Sequence, residues 1–212
     1  MSTCACPLCG AAAQPFYQHP RDGEYYDCGV CRLVFLAPAW HPDPPRERAR
    51  YCLHENSIED SGYCRHLGRL LDALTPLLPA GAAGLDYGCG PQPALAELMR
   101  QRGFAMQNYD PFFQPDAGAL ERRYDFIACS ETAEHFRRPG EEFARLAALL
   151  KPGGVLGVMT SLLEDGQPFA SWAYRRDFTH LCFYRRTTMD WIARRHAWQP
   201  DYRGSNVVIF SR

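Results

Sequence analysis

Four cysteines near the start of the chain form the clearest metal-binding pattern in the sequence. They are arranged as two C-x-x-C pairs, Cys6 with Cys9 and Cys28 with Cys31, and 18 residues separate the pairs. This spacing is typical of tetrathiolate zinc sites, and four thiolates leave no coordination position open for a reactant. The pattern therefore predicts a structural zinc ribbon over residues 1–40.

Two alternatives stay open for these cysteines at this point. They could be redox-active or simply buried, and Cys4 could replace Cys6 as a ligand. The sequence Cys-Pro-Leu-Cys-Gly from Cys6 to Gly10 favours Cys6. Gly10, like Gly29 in the second pair, permits the tight turn in which backbone amides face sulfur.

A glycine-rich turn forms the second chemical pattern. The segment LDYGCG ends at Gly90 and connects a predicted strand to a predicted helix. Gly88 and Gly90 lack side chains where a ligand must approach the backbone closely. Asp110 lies 24 positions after Asp86, at the end of the next predicted strand. Its carboxylate can accept hydrogen bonds from both hydroxyls of a ribose, so the pattern predicts an adenosine site.

The same turn distinguishes between two adenosine-containing ligands. A full G-x-G-x-x-G motif would hold a pyrophosphate at the start of the helix, as in NAD sites. The sequence has D-x-G-x-G instead, which suits a nucleoside without phosphates. We therefore predict S-adenosylmethionine, not NAD, as the cofactor.

Two histidines are candidate general bases for an acceptor that carries a proton. His180 lies three positions after Asp177, whose carboxylate could orient the imidazole and raise its basicity. The candidate catalytic residues are therefore His135, His180 and Asp177. In the structural alternative, Asp177 and His180 only fix their loop against the sheet, and His135 is a surface or capping residue.

The elements that would hold these residues alternate between strands and helices. Leucines at spacings of three and four predict a helix from Tyr63 that Pro79 ends. The alternation predicts an α/β fold with a Rossmann-like, doubly wound, mostly parallel sheet and a C-terminal antiparallel hairpin. The predicted strands are 82–87, 104–109, 124–129, 154–160, 199–203 and 207–210, and the other predicted helices are 94–102, 140–150 and 187–195.

Composition divides the chain into three predicted segments. The zinc ribbon (1–40) is followed by a linker or lid (41–62) and by the Rossmann-like domain (63–212). Residues 38–48 are rich in proline and charge, which predicts an extended connector. Residues 50–56 could fold over the cofactor as a lid, and a solvated linker is the alternative.

Charge and hydropathy limit the partners. Twenty-three basic and 24 acidic side chains give a net charge of -1, which does not indicate nucleic acid as a partner. No apolar stretch reaches the roughly 18 residues of a membrane helix, and no signal peptide is recognisable. The ten cysteines are then better explained by metal ligation and burial than by disulfides. We expect a cytoplasmic protein without membrane contact, whose oligomeric state is not predicted.

Five segments together resemble a known family. They are LDYGCG, NYDPFF, YDFIACSETAEHF, LLKPGGVLGVMTSLL and DFTHLCFY. The chain is similar over nearly its whole length to class I S-adenosylmethionine-dependent methyltransferases, and within them to a bacterial subset with an N-terminal zinc ribbon. Two features depart from the family pattern. Gln92 stands where a further glycine is common, and residues 114–123 lack a clear third strand with its adenine-side acid, a contact that Asp116 could supply.

The resemblance implies a role for each segment in cofactor binding. Asp86, Gly88 and Gly90 would hold the methionine portion, Asp110 the ribose, and Pro111 with Phe112 the flank of the adenine. Ser130, Glu131 and His135 would line the sulfonium and the substrate entrance. The complete set of expected cofactor-binding residues is Asp86, Tyr87, Gly88, Cys89, Gly90, Asp110, Pro111, Phe112, Ser130, Glu131 and His135.

Two functions of different class follow from these patterns. The first is methyl transfer to an unidentified acceptor, with a small molecule favoured over RNA or protein. The second is a non-catalytic adaptor, in which the zinc ribbon recognises a partner and the methyltransferase-like domain is a scaffold.

Overall fold

The computed structural model describes residues 3–53 and 57–212, which contain two β-sheets. The N-terminal strands are β1 (Cys4–Ala5), β2 (Ala12–His19), β3 (Gly23–Asp27) and β4 (Val34–Leu36). The next four are β5 (Ala83–Tyr87), β6 (Ala105–Tyr109), β7 (Tyr124–Ser130) and β8 (Leu150–Met159). The last three are β9 (Cys182–Phe183), β10 (Gln199–Arg203) and β11 (Val207–Ser211).

The larger sheet has the strand order β10-β11-β8-β7-β5-β6. Strands β6, β5, β7 and β8 are parallel, whereas β11 is antiparallel to β8 and β10 is antiparallel to β11. The predicted α/β class, with a mostly parallel sheet and a C-terminal antiparallel hairpin, is confirmed. Asp86 of β5 is paired with Asn108 of β6 and Ala128 of β7, so these three strands end at one edge of the sheet.

The smaller sheet is antiparallel and has the order β1-β2-β3-β4-β9. Its last strand comes from the opposite end of the chain. Val34 of β4 is paired with Phe183 of β9, and Phe35 is paired with Cys182. The N-terminal sheet is therefore completed by residues that follow the larger sheet's parallel strands.

Five α-helices surround the sheets in the described residues. They are α1 (Pro44–Tyr51), α2 (Ser61–Leu74), α3 (Ala94–Gln101), α4 (Pro139–Leu149) and α5 (Arg186–His196). The Asp60 carboxylate caps α2 by accepting hydrogen bonds from the backbone amides of Gly62 and Tyr63. Leu67, Leu70, Leu71 and Leu74 of the predicted leucine stripe are buried, as the 3.6-residue period requires. The α-helix ends at Leu74, before the predicted stop at Pro79, and a 3₁₀-helix follows over Thr75–Leu77, where Leu77 is exposed. No helix within 3–53 or 57–212 has the length and apolar character needed to cross a membrane.

The segment between the two sheets differs from the extended connector predicted for residues 38–48. A 3₁₀-helix covers Pro38–Trp40, and α1 begins at Pro44. Two prolines can start a helix because the first-turn amides that they lack have no intrahelical partner. Asp43 caps α1 by accepting a hydrogen bond of 2.8 Å from the Arg46 amide. Of the predicted lid, residues 50–53 are described, whereas His54 and Asn56 lie outside the described residues.

One hydrophobic core joins the N-terminal sheet to one face of the larger sheet. Phe169 belongs to this core, with ring centroids 5.1 Å from Tyr25 and 5.2 Å from Phe183. Ion pairs reinforce the junction: Arg185 lies 2.8 Å from Asp27, and the buried Arg175 lies 3.0 Å from Asp22. The N-terminal sheet and the larger sheet therefore depend on the same core for their stability.

Candidate functional site

A cavity of about 710 Å³ lies at the carboxyl ends of β5, β6 and β7. This edge of a parallel sheet is where ligands bind in doubly wound folds, and the volume is within the usual range of small-molecule sites. All the expected cofactor-binding residues line it: Asp86, Tyr87, Gly88, Cys89, Gly90, Asp110, Pro111, Phe112, Ser130, Glu131 and His135. His180 also lines it, whereas Asp177 lines a smaller neighbouring hollow.

The glycine turn after β5 requires glycine for both conformation and space. Gly88 and Gly90 have φ angles of +80° and +67°, a region that side chains disfavour. A Cβ on Gly88 would lie 2.1 Å from the Cγ2 of Thr132. The Gly88 amide donates a hydrogen bond of 2.8 Å to the carbonyl of Tyr109. The turn is therefore fixed against the end of β6.

Asp110 follows β6 and is held by three backbone amides. Its Oδ1 accepts from Phe112 and Phe113 at 2.8 and 3.1 Å, and its Oδ2 accepts from Gly90 at 3.0 Å. A carboxylate has about four acceptor positions, so one remains on Oδ2. In this conformation Asp110 can accept one further hydroxyl, where we expected two.

Buried carboxyl and aromatic groups form the floor beneath the turn. Burial, with the nearby charge of Asp110, raises the pKa of Asp86 to about 7, and a backbone hydrogen bond from Ala96 opposes the shift. Tyr87 donates a hydrogen bond to Glu142, and Arg145 donates one of 3.0 Å to the Tyr87 hydroxyl. Burial raises the pKa of Tyr87, so it remains a neutral phenol.

His135 and His180 face each other at the opposite wall, with ring centroids 4.9 Å apart. The Nδ1 of His135 donates to the Thr179 carbonyl at 2.8 Å, and the Nδ1 of His180 donates to the Tyr174 carbonyl at 2.7 Å. A backbone carbonyl can only accept, so each Nδ1 carries the proton. Burial lowers the pKa of His180. In the neutral form of each ring, Nε2 is therefore the acceptor, and for His180 the lowered pKa favours that neutral form.

Asp177 does not orient His180 as its spacing suggested. Its Oδ1 accepts from the amide and hydroxyl of Thr179 at 3.0 and 2.6 Å, and its Oδ2 lies 2.7 Å from Arg50. Burial opposes ionisation, but the Thr179 hydrogen bonds and the charge of Arg50 lower the pKa of Asp177 to about 2. Asp177 thus anchors the loop and α1, which is the structural alternative considered above.

Glu134, which was not among the predicted site residues, lies close to both histidines. Its side chain is 0% exposed, and neither carboxylate oxygen has a hydrogen-bond partner among the described residues. Its Oε1 is 4.0 Å from the Nε2 of His135. Burial raises the pKa of Glu134. The sequence feature that could have identified Glu134 is its position: it is an acidic residue next to His135 and shortly after a buried strand.

Helix α1 forms a roof over the cavity. The sequence predicted a possible lid over residues 50–56, but it did not predict the helix that begins at Pro44. Tyr51 packs its ring 5.8 Å from Phe112 and 5.1 Å from His135, and its hydroxyl donates to Glu47 at 2.8 Å. Glu47 in turn pairs with Arg137 at 2.6 Å. The roof is thus tied to the residues that follow β7.

A second group of residues enters the cavity from α2. His66 of this helix lies 3.3 Å from Glu131, whose φ angle is +48°. A non-glycine residue in this region is strained, and such residues are common at functional sites. The two departures from the family pattern have different positions. Gln92, which replaces the further glycine, follows the glycine turn and lines the cavity. Asp116 does not reach it, because this side chain caps the 3₁₀-helix Ala117–Leu120.

The four predicted zinc ligands come together at the tips of two turns. The Sγ atoms of Cys6 and Cys31 are 3.5 Å apart, those of Cys9 and Cys28 are 3.4 Å apart, and all four lie within 4.8 Å of one another. These separations are too long for a disulfide of about 2.05 Å. Zinc bound to four sulfurs at about 2.3 Å would hold them roughly 3.8 Å apart. The donor set therefore fits tetrahedral zinc.

Each cysteine turn uses a left-handed residue. Gly10, with φ +78°, donates its amide hydrogen bond to the carbonyl of Cys6 at 2.9 Å. Arg32, with φ +62°, does the same to Cys28 at 2.8 Å. In the second turn the left-handed position is thus Arg32 and not the expected Gly29.

Comparison with known proteins identifies the family. Residues 59–200 match the model of the methyltransferase domain family, which is more than half of the chain. The chain belongs to this family and is a class I S-adenosylmethionine-dependent methyltransferase. No curated protein sequence matches it.

Solved structures support the same fold. One is the 1,6-didemethyltoxoflavin-N1-methyltransferase of Burkholderia thailandensis, crystallised with 1,6-didemethyltoxoflavin and S-adenosylhomocysteine. It is 15% identical with a TM-score of 0.50, over 93% of this chain and 97% of that chain. Another is an O-methyltransferase family protein from the same organism, 16% identical with a TM-score of 0.51, over 78% of this chain and 62% of that chain.

Proposed function

We propose that the cavity binds S-adenosylmethionine against the β5 and β6 ends, and that its methyl group is transferred to a small molecule at the His135 and His180 end. The main supporting observation is the hydrogen bond from the Gly90 amide to Asp110, which joins the glycine turn to the ribose-binding acid. This contact brings both halves of the expected nucleoside site into one wall of the cavity.

The cofactor would lie along this wall from β5 to β7. Asp86, Gly88 and Gly90 would hold the methionine portion, with Tyr87 and Cys89 completing the turn. Asp110 would accept a ribose hydroxyl, and Pro111 with Phe112 would flank the adenine. Each of these residues lines the cavity.

The sulfonium would lie near the end of β7. The buried Ser130 hydroxyl, at that end, has no hydrogen-bond partner among the described residues. Buried hydroxyls are normally hydrogen-bonded, so an unpaired one in a cavity wall fits a site completed by a ligand. Ser130, Glu131 and His135 would thus surround the methyl group.

A small acceptor is favoured by the roof. Tyr51 covers the His135 end of the cavity, and a bulky protein or RNA segment would have to displace α1 from its ion pairs at Glu47 and Arg50. The net charge of -1 gives no general attraction for RNA. Because displacement of the methyl group is in-line, the chain's residues contribute mainly by positioning the acceptor and excluding water.

We further propose that Cys6, Cys9, Cys28 and Cys31 hold one structural zinc ion, because their sulfur atoms already lie at near-tetrahedral separations. A cytoplasmic location would suit four reduced thiolates. Neither nucleic acid nor a membrane is a proposed partner.

Calorimetry with S-adenosylhomocysteine tests the cofactor site. Asp110→Asn should weaken binding by about tenfold or more, because an amide accepts fewer hydrogen bonds than a carboxylate. Asp116→Asn is the matched control, since Asp116 also accepts a backbone hydrogen bond in a turn but lies outside the cavity. Equal binding by both variants would contradict the site.

Transfer of radiolabelled methyl groups into fractionated cell extract tests the acceptor. Label in the small-molecule fraction would support the proposal, and label confined to RNA or protein would overturn the proposed acceptor class. Label in no fraction, with S-adenosylhomocysteine bound normally, would instead favour the adaptor.

A further inference from the structure

The buried carboxylate of Glu134 makes no hydrogen bond within the described residues, and the Nε2 of His135 lies 4.0 Å from its Oε1. The side chain is fully buried, and both oxygens lack a hydrogen-bond partner among the described residues. Leaving a buried polar group unpaired costs about 1–3 kcal/mol, and more for a charged group. Such a group in a cavity wall indicates that something else binds there.

The two neighbouring histidines are held in the way that metal ligands are held. Each donates its Nδ1 proton to a backbone carbonyl, His135 to Thr179 and His180 to Tyr174. This contact fixes the tautomer and the ring orientation, so that in the neutral ring the lone pair is on Nε2, as in a metal ligand.

The three side chains converge on one point. One ligand atom from each of Glu134, His135 and His180 lies within 4.8 Å of the others, and Glu134 Oε1 is 4.0 Å from His135 Nε2. Two metal–ligand bonds of about 2.1 Å span at most roughly 4.2 Å. A cation would therefore need only a small inward movement of these side chains.

We propose that Glu134, His135 and His180 bind a divalent transition-metal ion at the acceptor end of the cavity. Two imidazoles and one carboxylate suit manganese, iron, cobalt or zinc, and three protein ligands leave positions open for an exogenous oxygen. The site is separate from the cysteine cluster, which has only sulfur ligands.

The ion specifies the acceptor class, an inference that rests on the proposed methyl transfer. An acceptor hydroxyl on the ion would ionise more readily and release its proton to water. Its oxygen electron pair would form the bond to the methyl carbon while the sulfur–methyl bond breaks. That electron pair stays on sulfur, which gives S-adenosylhomocysteine and an O-methylated product. His135 and His180 would then position the acceptor through the ion and would not act as general bases.

Binding of Mn²⁺, and of Co²⁺ in parallel, to the zinc-loaded full chain tests the ion site. The loss of the free Mn²⁺ electron paramagnetic resonance signal measures binding without any turnover, and thiolates retain zinc against manganese. We expect one Mn²⁺ or Co²⁺ per chain, bound at least tenfold more weakly by Glu134→Gln and by His180→Gln. His196→Gln is the control, because this histidine packs on Trp198 away from the cavity.

The outcomes separate this inference from the proposed function. If neither ion binds the unaltered chain, or if Glu134→Gln and His180→Gln both bind it as His196→Gln does, the ion site is rejected. Calorimetry with S-adenosylhomocysteine in the absence of added Mn²⁺ reports on the cofactor site alone. Thermal unfolding of each variant verifies that it is folded, and Glu134→Gln should fold because glutamine has a similar volume and places no ionisable group in the buried site.

Discussion

Arg137 lies 2.6 Å from Glu47, and this ion pair connects α1 to the residues that follow β7 across 90 positions of sequence. The Arg137 guanidinium also donates a hydrogen bond of 2.6 Å to the Pro42 carbonyl. The Glu47 carboxylate is buried and accepts the Tyr51 hydroxyl on its other oxygen. The pair therefore determines where the roof of the cavity lies.

We predict that Arg137→Met weakens the binding of S-adenosylhomocysteine by about tenfold and lowers stability by about 1–3 kcal/mol, because it leaves Glu47 buried without its cation. Calorimetry and thermal unfolding measure the two effects. Arg203→Met is the matched control, since its side chain is 57% exposed, pairs with Asp201 and does not line the cavity. If the two variants bind the ligand equally well, the ion pair does not position the roof.

Gly88→Ala should abolish cofactor binding in a protein that still folds. The new Cβ would overlap the Thr132 side chain, which forms the facing wall of the cavity, and would occupy an unfavourable φ. Gly103→Ala imposes a comparable left-handed strain, with φ +89°, but meets no atom within 4 Å. Gly103→Ala should lose roughly 1–2 kcal/mol of stability from the backbone, and Gly88→Ala should lose more, because its Cβ also overlaps Thr132. Only Gly88→Ala should lose S-adenosylhomocysteine binding by calorimetry, and retention of binding would show that the turn does not touch the ligand.

The glycine turn and Asp110 could be found from sequence because consecutive parallel strands end at the same edge of a sheet. A strand pattern followed by Asp86, Gly88 and Gly90, and a second strand pattern followed by Asp110, are local signals. Their adjacency then follows from the fold class alone. The four zinc ligands were equally accessible, because their spacing within and between turns carries the geometry.

Other features depend on contacts that no local pattern encodes. The pairing of β9 with β4 joins two residues to a strand about 150 positions away, and two residues are too few to show a strand period. For Asp177, a local pattern was present but suggested the wrong contact. A spacing of three suggested contact with His180, but the nearer Thr179 amide and hydroxyl take the carboxylate. Such short-range capping is common for aspartate in turns.

The pH dependence of cofactor binding should reveal Asp86. In the free protein, burial raises the pKa of Asp86 to about 7. The ammonium group of the ligand's methionine portion would favour the ionised carboxylate and would therefore lower this pKa on binding. Affinity for S-adenosylhomocysteine should rise with pH from 6 to 8, by at most about tenfold per unit, with release of a proton.

Calorimetry in two buffers of different ionisation enthalpy measures that proton release. Asp86→Asn should bind more weakly and should show a flat profile over the same range, because it has no proton to release. A profile that stays steep in Asp86→Asn would assign the pH dependence to another group.

The cysteine cluster should hold close to one zinc ion per chain, measured by elemental analysis. Cys28→Ser should lose most of it, because a hydroxyl is a far poorer zinc ligand than a thiolate. Cys4→Ser is the matched control, because Cys4 lies outside the group of four that converge. Loss of zinc in Cys4→Ser, or its retention in Cys28→Ser, would require a different ligand set.

Loss of zinc should also destabilise the methyltransferase fold, because the two parts share one core. The Cys28 side chain is buried in the same hydrophobic cluster as Phe183 and Tyr184, and a Cβ on Gly140, in α4, would lie 2.6 Å from the Leu8 carbonyl of the first cysteine turn. Thermal unfolding of Cys28→Ser, followed by circular dichroism, should therefore show a single transition at a lower temperature, with both sheets lost together. Two separate transitions, the second at the unaltered temperature, would mean that the zinc ribbon is stabilised independently of the larger sheet.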